Sequence, residues 1–165
     1  MKFDSKSNVD FFTPPEREIL QVKLLKKQLY YTHTNSPFYK GKFTHEDIEA
    51  ISSLADYTTF IKTSKKELAE YNTEFLSISQ REVVEYVTTS GTTGQPVKIA
   101  LSRNDQERLG YNEARSLSIA GFSADELVQI TTTLDKGFMA GMAYYLGLTK
   151  IGSTVFRAGQ GSPEF

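Results

Sequence analysis

Residues 88 to 98 read Thr-Thr-Ser-Gly-Thr-Thr-Gly-Gln-Pro-Val-Lys. Five hydroxyl side chains and two glycines fill the seven positions from Thr88 to Gly94. Hydroxyls donate hydrogen bonds, and glycines let bare backbone N–H groups come close to a ligand, so such a turn can wrap an anionic group. The ligand that uses this many donors is a polyphosphate. The pattern is not a Walker A loop, which needs Gly, four residues and then Gly-Lys-Ser/Thr. Here Gln95 and Pro96 follow Gly94, and the nearest lysine is Lys98. A Gly/Ser/Thr-rich hairpin that holds no ligand is the alternative reading of these residues.

The elements that must hold this turn are legible on both sides. Glu82 to Thr88 alternates apolar and polar residues, as a strand does, and Val97 to Leu101 gives a second strand. Ser102, with Asp105 three residues on, caps a helix that ends at Ala120-Gly121. Leu127 to Ile130 is a third strand, Phe138 to Leu148 an apolar, glycine-containing helix, and Thr154 to Phe156 a fourth strand. Strand, helix, strand, helix, strand is the order of an α/β layer with a parallel sheet. Upstream, Thr13-Pro14-Pro15-Glu16 starts a helix that runs to Tyr30, with Val22, Leu25 and Leu29 on one face. Asn35 to Lys42 is a Pro/Gly loop, and Thr44 with Asp47 and Ser64 with Glu67 mark two more short helices. Residues 1–12 read as a polar arm with aromatic anchors. The organisation expected is α/β: a mostly helical lead-in over 1–80 and a βαβαβ part with the hydroxyl-rich loop over 81–165.

Composition narrows the function. The chain has 165 residues, 39% hydrophobic and 24% charged, which suits one globular domain. No apolar run approaches the ~18 residues that span a membrane, and Met1 to Asp10 lacks the apolar core of a secretory signal. With no cysteine there is neither a disulfide nor a thiolate metal site, which fits a cytoplasmic protein. A net charge of −1 gives no electrostatic case for nucleic acid. Lys23, Lys26 and Lys27 read as a solvated helix face. His33 and His45 lie in polar sequence surroundings and read as surface residues; with no placed acid they assemble no Ser/His/Asp triad.

Ser90-Gly91-Thr92-Thr93-Gly94-Gln95-Pro96 resembles the phosphate loop of the adenylate-forming enzymes, the superfamily of acyl- and aryl-CoA ligases. Two flanking segments resemble its phenylacetate-CoA ligase branch. Ser36-Pro37-Phe38-Tyr39-Lys40, after a helix containing Gln21 and Leu24, is similar to a Pro-Phe-Tyr segment of the branch. Lys136 to Gly141, Tyr144 to Gly147 and Lys150 to Val155 are similar to its Gly-Leu-Phe-Thr-Gly-Gly stretch, the helix after it and its Leu-Gly-Cys-Thr-Val strand. Order and spacing agree from about residue 17 to 158.

The resemblance implies the N-terminal part of an AMP-binding domain, with 1–80 and 81–165 as two parts of one incomplete domain. It implies ATP, Mg²⁺ and coenzyme A, a small-molecule carboxylic acid, and an acyl-adenylate that is passed to a thiol. It assigns Thr89, Ser90, Gly91, Thr92, Thr93 and Gly94 to ATP phosphates, and Asp135, Phe138 and Gly141 to the acyl pocket. No residue of the chain is assigned as catalytic or as a metal ligand. It implies no nucleic-acid or membrane partner and leaves a homodimer open. Two departures stand out. Val97 separates Pro96 from Lys98, where much of the superfamily has the lysine directly after the proline, and Thr133 and Asp135 replace aromatic residues at which the aryl pocket is built. The departures leave open a relative that loads a carrier protein or adenylates a cofactor. A non-catalytic phosphate-binding or interaction module is the reading outside the enzymes. The family's Tyr-Gly-x-Thr/Ser-Glu segment, ribose-binding aspartate and late lysine have no counterpart here, so these 165 residues alone are expected to show no turnover.

Overall fold

The computed structural model describes residues 8–58, 60–89, 96–135 and 137–159. They fall into two compact units, one ending at Gln80 and the other beginning at Arg81.

In the first unit, Asn8–Phe11 form a short 3-10 turn and α1 spans Pro14–Asn35. The Thr13 N–H and hydroxyl both donate to the Glu16 carboxylate, at 2.8 and 2.7 Å, and Pro14 and Pro15 carry no N–H that the first turn would leave unpaired. The helix runs past the expected end at Tyr30, because neither glycine nor proline interrupts it there. The Thr34 hydroxyl and the Asn35 amide donate to the carbonyls of Tyr30 and Tyr31, both at 2.8 Å. It stops where Pro37 forces the residue before it to be extended: Ser36 has φ −95° and ψ 121°.

The two short helices expected from their caps are present, α2 at His45–Ala50 and α4 at Lys65–Glu70. Between them lies α3, Leu54–Thr58, which the sequence reading missed. Its start is fixed by Asp56, whose carboxylate accepts from the N–H groups of Ser52 and Ser53 and from the Ser52 hydroxyl, each at 2.8 Å.

Aromatic packing fills this unit. Phe38 is 6% exposed, stacks on Phe75 at 3.8 Å between centroids and meets Tyr39 edge-on at 5.2 Å. The Ser36 hydroxyl and the Phe38 N–H both donate to the Glu74 carbonyl at 2.9 Å, which holds the Phe38 and Phe75 segments together. Ile48, Ile51 and Phe43 are buried as well. Lys26 reaches Glu49 at 3.2 Å and the Tyr30 hydroxyl donates to the same carboxylate, tying α1 to α2. The surface reading of the two histidines needs correction at His33. His33 is half-buried, with its ring 5.5 Å from Phe43 and 4.9 Å from His45, and its Nδ1 is buried without a hydrogen-bond partner. The apolar neighbours come from segments distant in sequence, so local polarity misled the reading. His45 is exposed.

In the second unit, β1 (Val83–Thr88) pairs antiparallel with β2 (Lys98–Ser102), in a register that sets Thr88 opposite Lys98. After β2 come α5 (Arg103–Ile119), β3 (Leu127–Ile130), α6 (Met139–Ile151) and β4 (Thr154–Arg157), and β4 pairs parallel with β3. The parallel layer expected through all the later strands is thus limited to β3 and β4 among the described residues, and β2 belongs to the hairpin. Chain length explains the split: parallel neighbours need a crossover of about a dozen residues or more, which α6 supplies between β3 and β4 and the short link from Thr88 to Lys98 does not.

Close helix packing completes the unit. A Cβ at Gly147 would lie 2.6 Å from Glu113 Cβ and 3.0 Å from Ala114 N, so α5 and α6 approach more closely than any larger residue there allows. Lys150 and Glu107 pair across the two helices at 3.0 Å. The end of α6 lies three residues beyond the expected Leu148, at a left-handed Gly152 with φ +100°. Its N–H and that of Ser153 both bond the Leu148 carbonyl, at 3.0 and 3.1 Å.

Candidate functional site

The hydroxyl-rich turn joins β1 to β2, and the structure describes its neck. Thr89 donates its N–H to the Val97 carbonyl and accepts the Val97 N–H on its hydroxyl oxygen, both at 3.0 Å. The Thr89 hydroxyl therefore closes the hairpin, while its own proton remains a donor. Val87 and Val97, each 2% exposed, anchor the two sides. Lys98 lies opposite Thr88 with an exposed side chain. Ser90, Gly91, Thr92, Thr93 and Gly94 lie outside the described residues.

The second group of expected site residues occupies the connection from β3 to α6 and the first turn of that helix. The Asp135 N–H donates to the Thr133 hydroxyl, and the Phe138 N–H to the Asp135 carbonyl, both at 3.1 Å. Asp135 is exposed, Phe138 is 39% exposed immediately before α6, and Gly141 is buried in the first turn. A Cβ at Gly141 would fall 2.3 Å from the Thr133 carbonyl oxygen and 3.2 Å from Thr132 Oγ1, so this turn of α6 accepts only glycine against the incoming segment.

Two residues that the sequence did not single out matter to the geometry. Gly137 has φ +67°, and its carbonyl accepts the Thr88 N–H at 2.9 Å, so this segment is tied to β1 just before the neck of the hairpin. Its signal was available, since a glycine directly after Asp135-Lys136 marks a turn. Thr132 Oγ1 is buried and has no hydrogen-bond partner, and no sequence pattern distinguishes it from the threonines on either side.

Among the described residues no group of three or more His, Asp or Glu side chains is arranged to hold a metal ion, and no helix is long and apolar enough to cross a membrane. An open cavity of about 770 Å³ lies within the helical unit, lined by Leu25, Leu29, Tyr39, Phe43 and Phe60 among others. None of the residues expected at the site lines it.

The neck of the hairpin, residues 132–135 with Gly137 and Phe138, and the first turn of α6 form one hydrogen-bonded and close-packed arrangement, and known proteins are similar to the chain in sequence and in fold. No protein-family model matches the chain. Phenylacetate-coenzyme A ligase of Escherichia coli (strain K12) is 28% identical over 152 residues, covering 90% of this chain and 35% of the relative. The Pseudomonas putida enzyme of the same name is 28% identical over 149 residues, covering 87% of this chain and 33% of its own length. The chain thus spans about a third of the length of the curated relatives it matches. In fold, an open conformation of 2-hydroxyisobutyryl-CoA ligase in complex with 2-HIB-AMP and CoA superposes with a TM-score of 0.82 at 18% identity, over 99% of this chain and 42% of that one. The same ligase in its thioesterification state gives a TM-score of 0.83 at 19% identity, over 99% and 38%. In sequence the chain is thus similar to about a third of the length of phenylacetate-coenzyme A ligases, and in fold to about two fifths of a 2-hydroxyisobutyryl-CoA ligase.

Proposed function

We propose that the gene product carrying this chain activates a carboxylic acid with ATP and passes the acyl group to the thiol of coenzyme A. The observation that carries this reading is the alignment of 90% of the chain with a phenylacetate-CoA ligase. A fold shared with a ligase solved with an acyl-AMP and CoA supports it.

In the first step a carboxylate oxygen attacks the α-phosphorus of ATP. The new O–P bond forms as the bond to the departing pyrophosphate breaks, and no general base is needed because the carboxylate is already a nucleophile. In the second step the thiol sulfur attacks the acyl carbon, gives up its proton, and AMP leaves. Rate comes from positioning and from donors aimed at developing charge. Ser90, Thr92 and Thr93 supply hydroxyl donors to the phosphates, and Gly91 to Gly94 supply amides. Thr89 closes the neck of the hairpin against Val97, and Lys98 is the alternative phosphate ligand. Asp135, Phe138 and Gly141 border the acid. Mg²⁺ belongs to the reading by resemblance, but the described residues offer no cluster to hold it, and no step here is assigned to it.

Thr133 and Asp135, standing where the branch builds an aryl pocket, favour an aliphatic or polar acid over an aryl one. The absence of cysteine fits reaction in the cytoplasm, and the net charge of −1 gives nucleic acid no electrostatic hold. The test is ATP–pyrophosphate exchange with a panel of acids that includes phenylacetate and 2-hydroxyisobutyrate, followed by detection of the CoA thioester. Exchange that requires an acid, faster with the aliphatic members, is the expected result. Nucleotide binding without acid-dependent exchange would replace the enzyme with a phosphate-binding module.

A further inference from the structure

Gly137 joins the two halves of the candidate site. β1 is bonded to β2 on one side, with Thr89 N–H directed to Val97. Successive N–H groups of a strand point in opposite directions, so the Thr88 N–H faces the other edge, where it meets the Gly137 carbonyl at 2.9 Å. The approach is close enough that a side chain fits only if the two segments move apart by a few tenths of an ångström. A Cβ at Gly137 would lie 3.2 Å from the Tyr86 carbonyl oxygen, 3.3 Å from Thr88 N and 3.4 Å from Val87 Cα, all backbone atoms that cannot rotate aside. Its φ of +67° also lies in the region that favours glycine. Two residues before it stands Asp135, and directly after it come Phe138 and α6.

We propose that Gly137 is a positioning residue: its bond to Thr88 sets the segment carrying Asp135 and Phe138 at a fixed distance from the neck of the hairpin, so that an acid beside the one meets phosphates beside the other. The inference rests on the ligase reading above. A side chain at residue 137 pushes the segment off β1 and misaligns two substrates that still bind singly. A misplacement of about 1 Å can lower a rate by roughly 10²-fold.

The experiment is acid-dependent pyrophosphate exchange on the gene product with Gly137→Ala, compared with wild type and Gly152→Ala, alongside hydrogen exchange of the Thr88 amide. Gly152 serves as the structural comparison: its φ of +100° is also left-handed, but it caps the C-terminal end of α6. Gly137→Ala is expected to lower kcat at least about tenfold while KM for ATP and for the acid each stay within about twofold. Its Thr88 amide should exchange faster, with the α5 amides unchanged. Gly152→Ala should lower the melting temperature yet keep kcat per folded molecule. If Gly137→Ala does not fold, Gly137→Asn, which tolerates positive φ but sets the same Cβ against β1, should fold and show a kcat loss of at least the same size. Wild-type kcat in a folded residue-137 variant, or an equal loss in Gly152→Ala, overturns the positioning role alone. Absence of acid-dependent exchange in wild type overturns the ligase reading and this inference with it.

Discussion

In the helical unit, α1, α2, α3 and α4 each begin at a hydroxyl residue bonded to a carboxylate three or four residues on, and the aromatic rings of Phe38, Tyr39 and Phe75 pack between segments. In the α/β unit, position is set by backbone pressed on backbone: Gly147 against Ala114, Gly141 against the Thr133 carbonyl, and Gly137 against β1. The first design is modular, because a cap acts within one turn and a ring fills a volume that neighbours can partly recover. The second leaves no slack at the glycines. That difference suits the proposed chemistry, which depends on donors and acid held at fixed separation.

The comparison can be broken most forcefully in the helical unit. Phe38→Ala removes the hub of its aromatic cluster, and a buried phenylalanine cut to alanine costs about 3–5 kcal/mol. Urea unfolding followed by α1 amide exchange should show that loss in the helical unit, with α5 and α6 still protected. Gly147→Ala is the counterpart in the α/β unit. One methyl placed 2.6 Å from Glu113 Cβ forces α5 and α6 apart, and overpacking of this kind costs about 1–3 kcal/mol. The same measurement should locate its effect in α5 and α6.

Smaller effects sharpen the contrast. Ser102→Ala removes an N-cap whose oxygen accepts the Asp105 N–H at 3.2 Å, and should cost about 1 kcal/mol by thermal unfolding. Thr132→Val replaces a buried hydroxyl that has no partner with an isosteric apolar group, so it should leave stability unchanged or raise it, by up to about 1 kcal/mol. A loss on that substitution would mean that the hydroxyl is paired. The last effect is one of pH. Hydrogen bonds from the Ser52 backbone and side chain, then from Ser53, hold the Asp56 carboxyl down from its ordinary 3.8 to about 2. A depressed folded-state value stabilises the fold above pH 3.8, and that contribution fades as pH falls through about 2. Amide exchange in α3 should rise over that window in wild type and be insensitive to it in Asp56→Asn.

What could be read from the sequence follows the same division. Thr13 with Glu16, Thr44 with Asp47, Ser64 with Glu67 and Ser102 with Asp105 marked helix starts that the structure contains, because a cap is written within four residues. The caps of α3 escaped notice although Ser52, Ser53 and Asp56 spell them just as locally. Strand positions were legible from alternation, whereas pairing was not: the split into an antiparallel hairpin and a parallel β3–β4 pair depends on connection length and on distant partners. The half-buried His33 depends on Phe43 and His45, ten and more residues away. At the site, the turn chemistry of Thr89 to Gly94 and the segment of Asp135, Phe138 and Gly141 stood out by type. Gly137 and Thr132 did not, because their roles lie in a carbonyl that meets β1 and in a hydroxyl that meets nothing.

The most direct test of the account is acid-dependent ATP–pyrophosphate exchange by the gene product with Thr92→Ala/Thr93→Ala and, separately, with Lys98→Ala. Loss of one preorganised donor to developing charge costs roughly 10²–10³ in rate. The double threonine variant should therefore lose at least about 10²-fold in exchange at saturating ATP while its melting temperature stays near wild type. Lys98→Ala should change exchange far less, since Val97 sets Lys98 one position beyond the usual lysine and the hairpin register pairs it with Thr88. Exchange abolished in Lys98→Ala and near wild type in the threonine variant would contradict the hydroxyl cradle and make Lys98 the phosphate ligand.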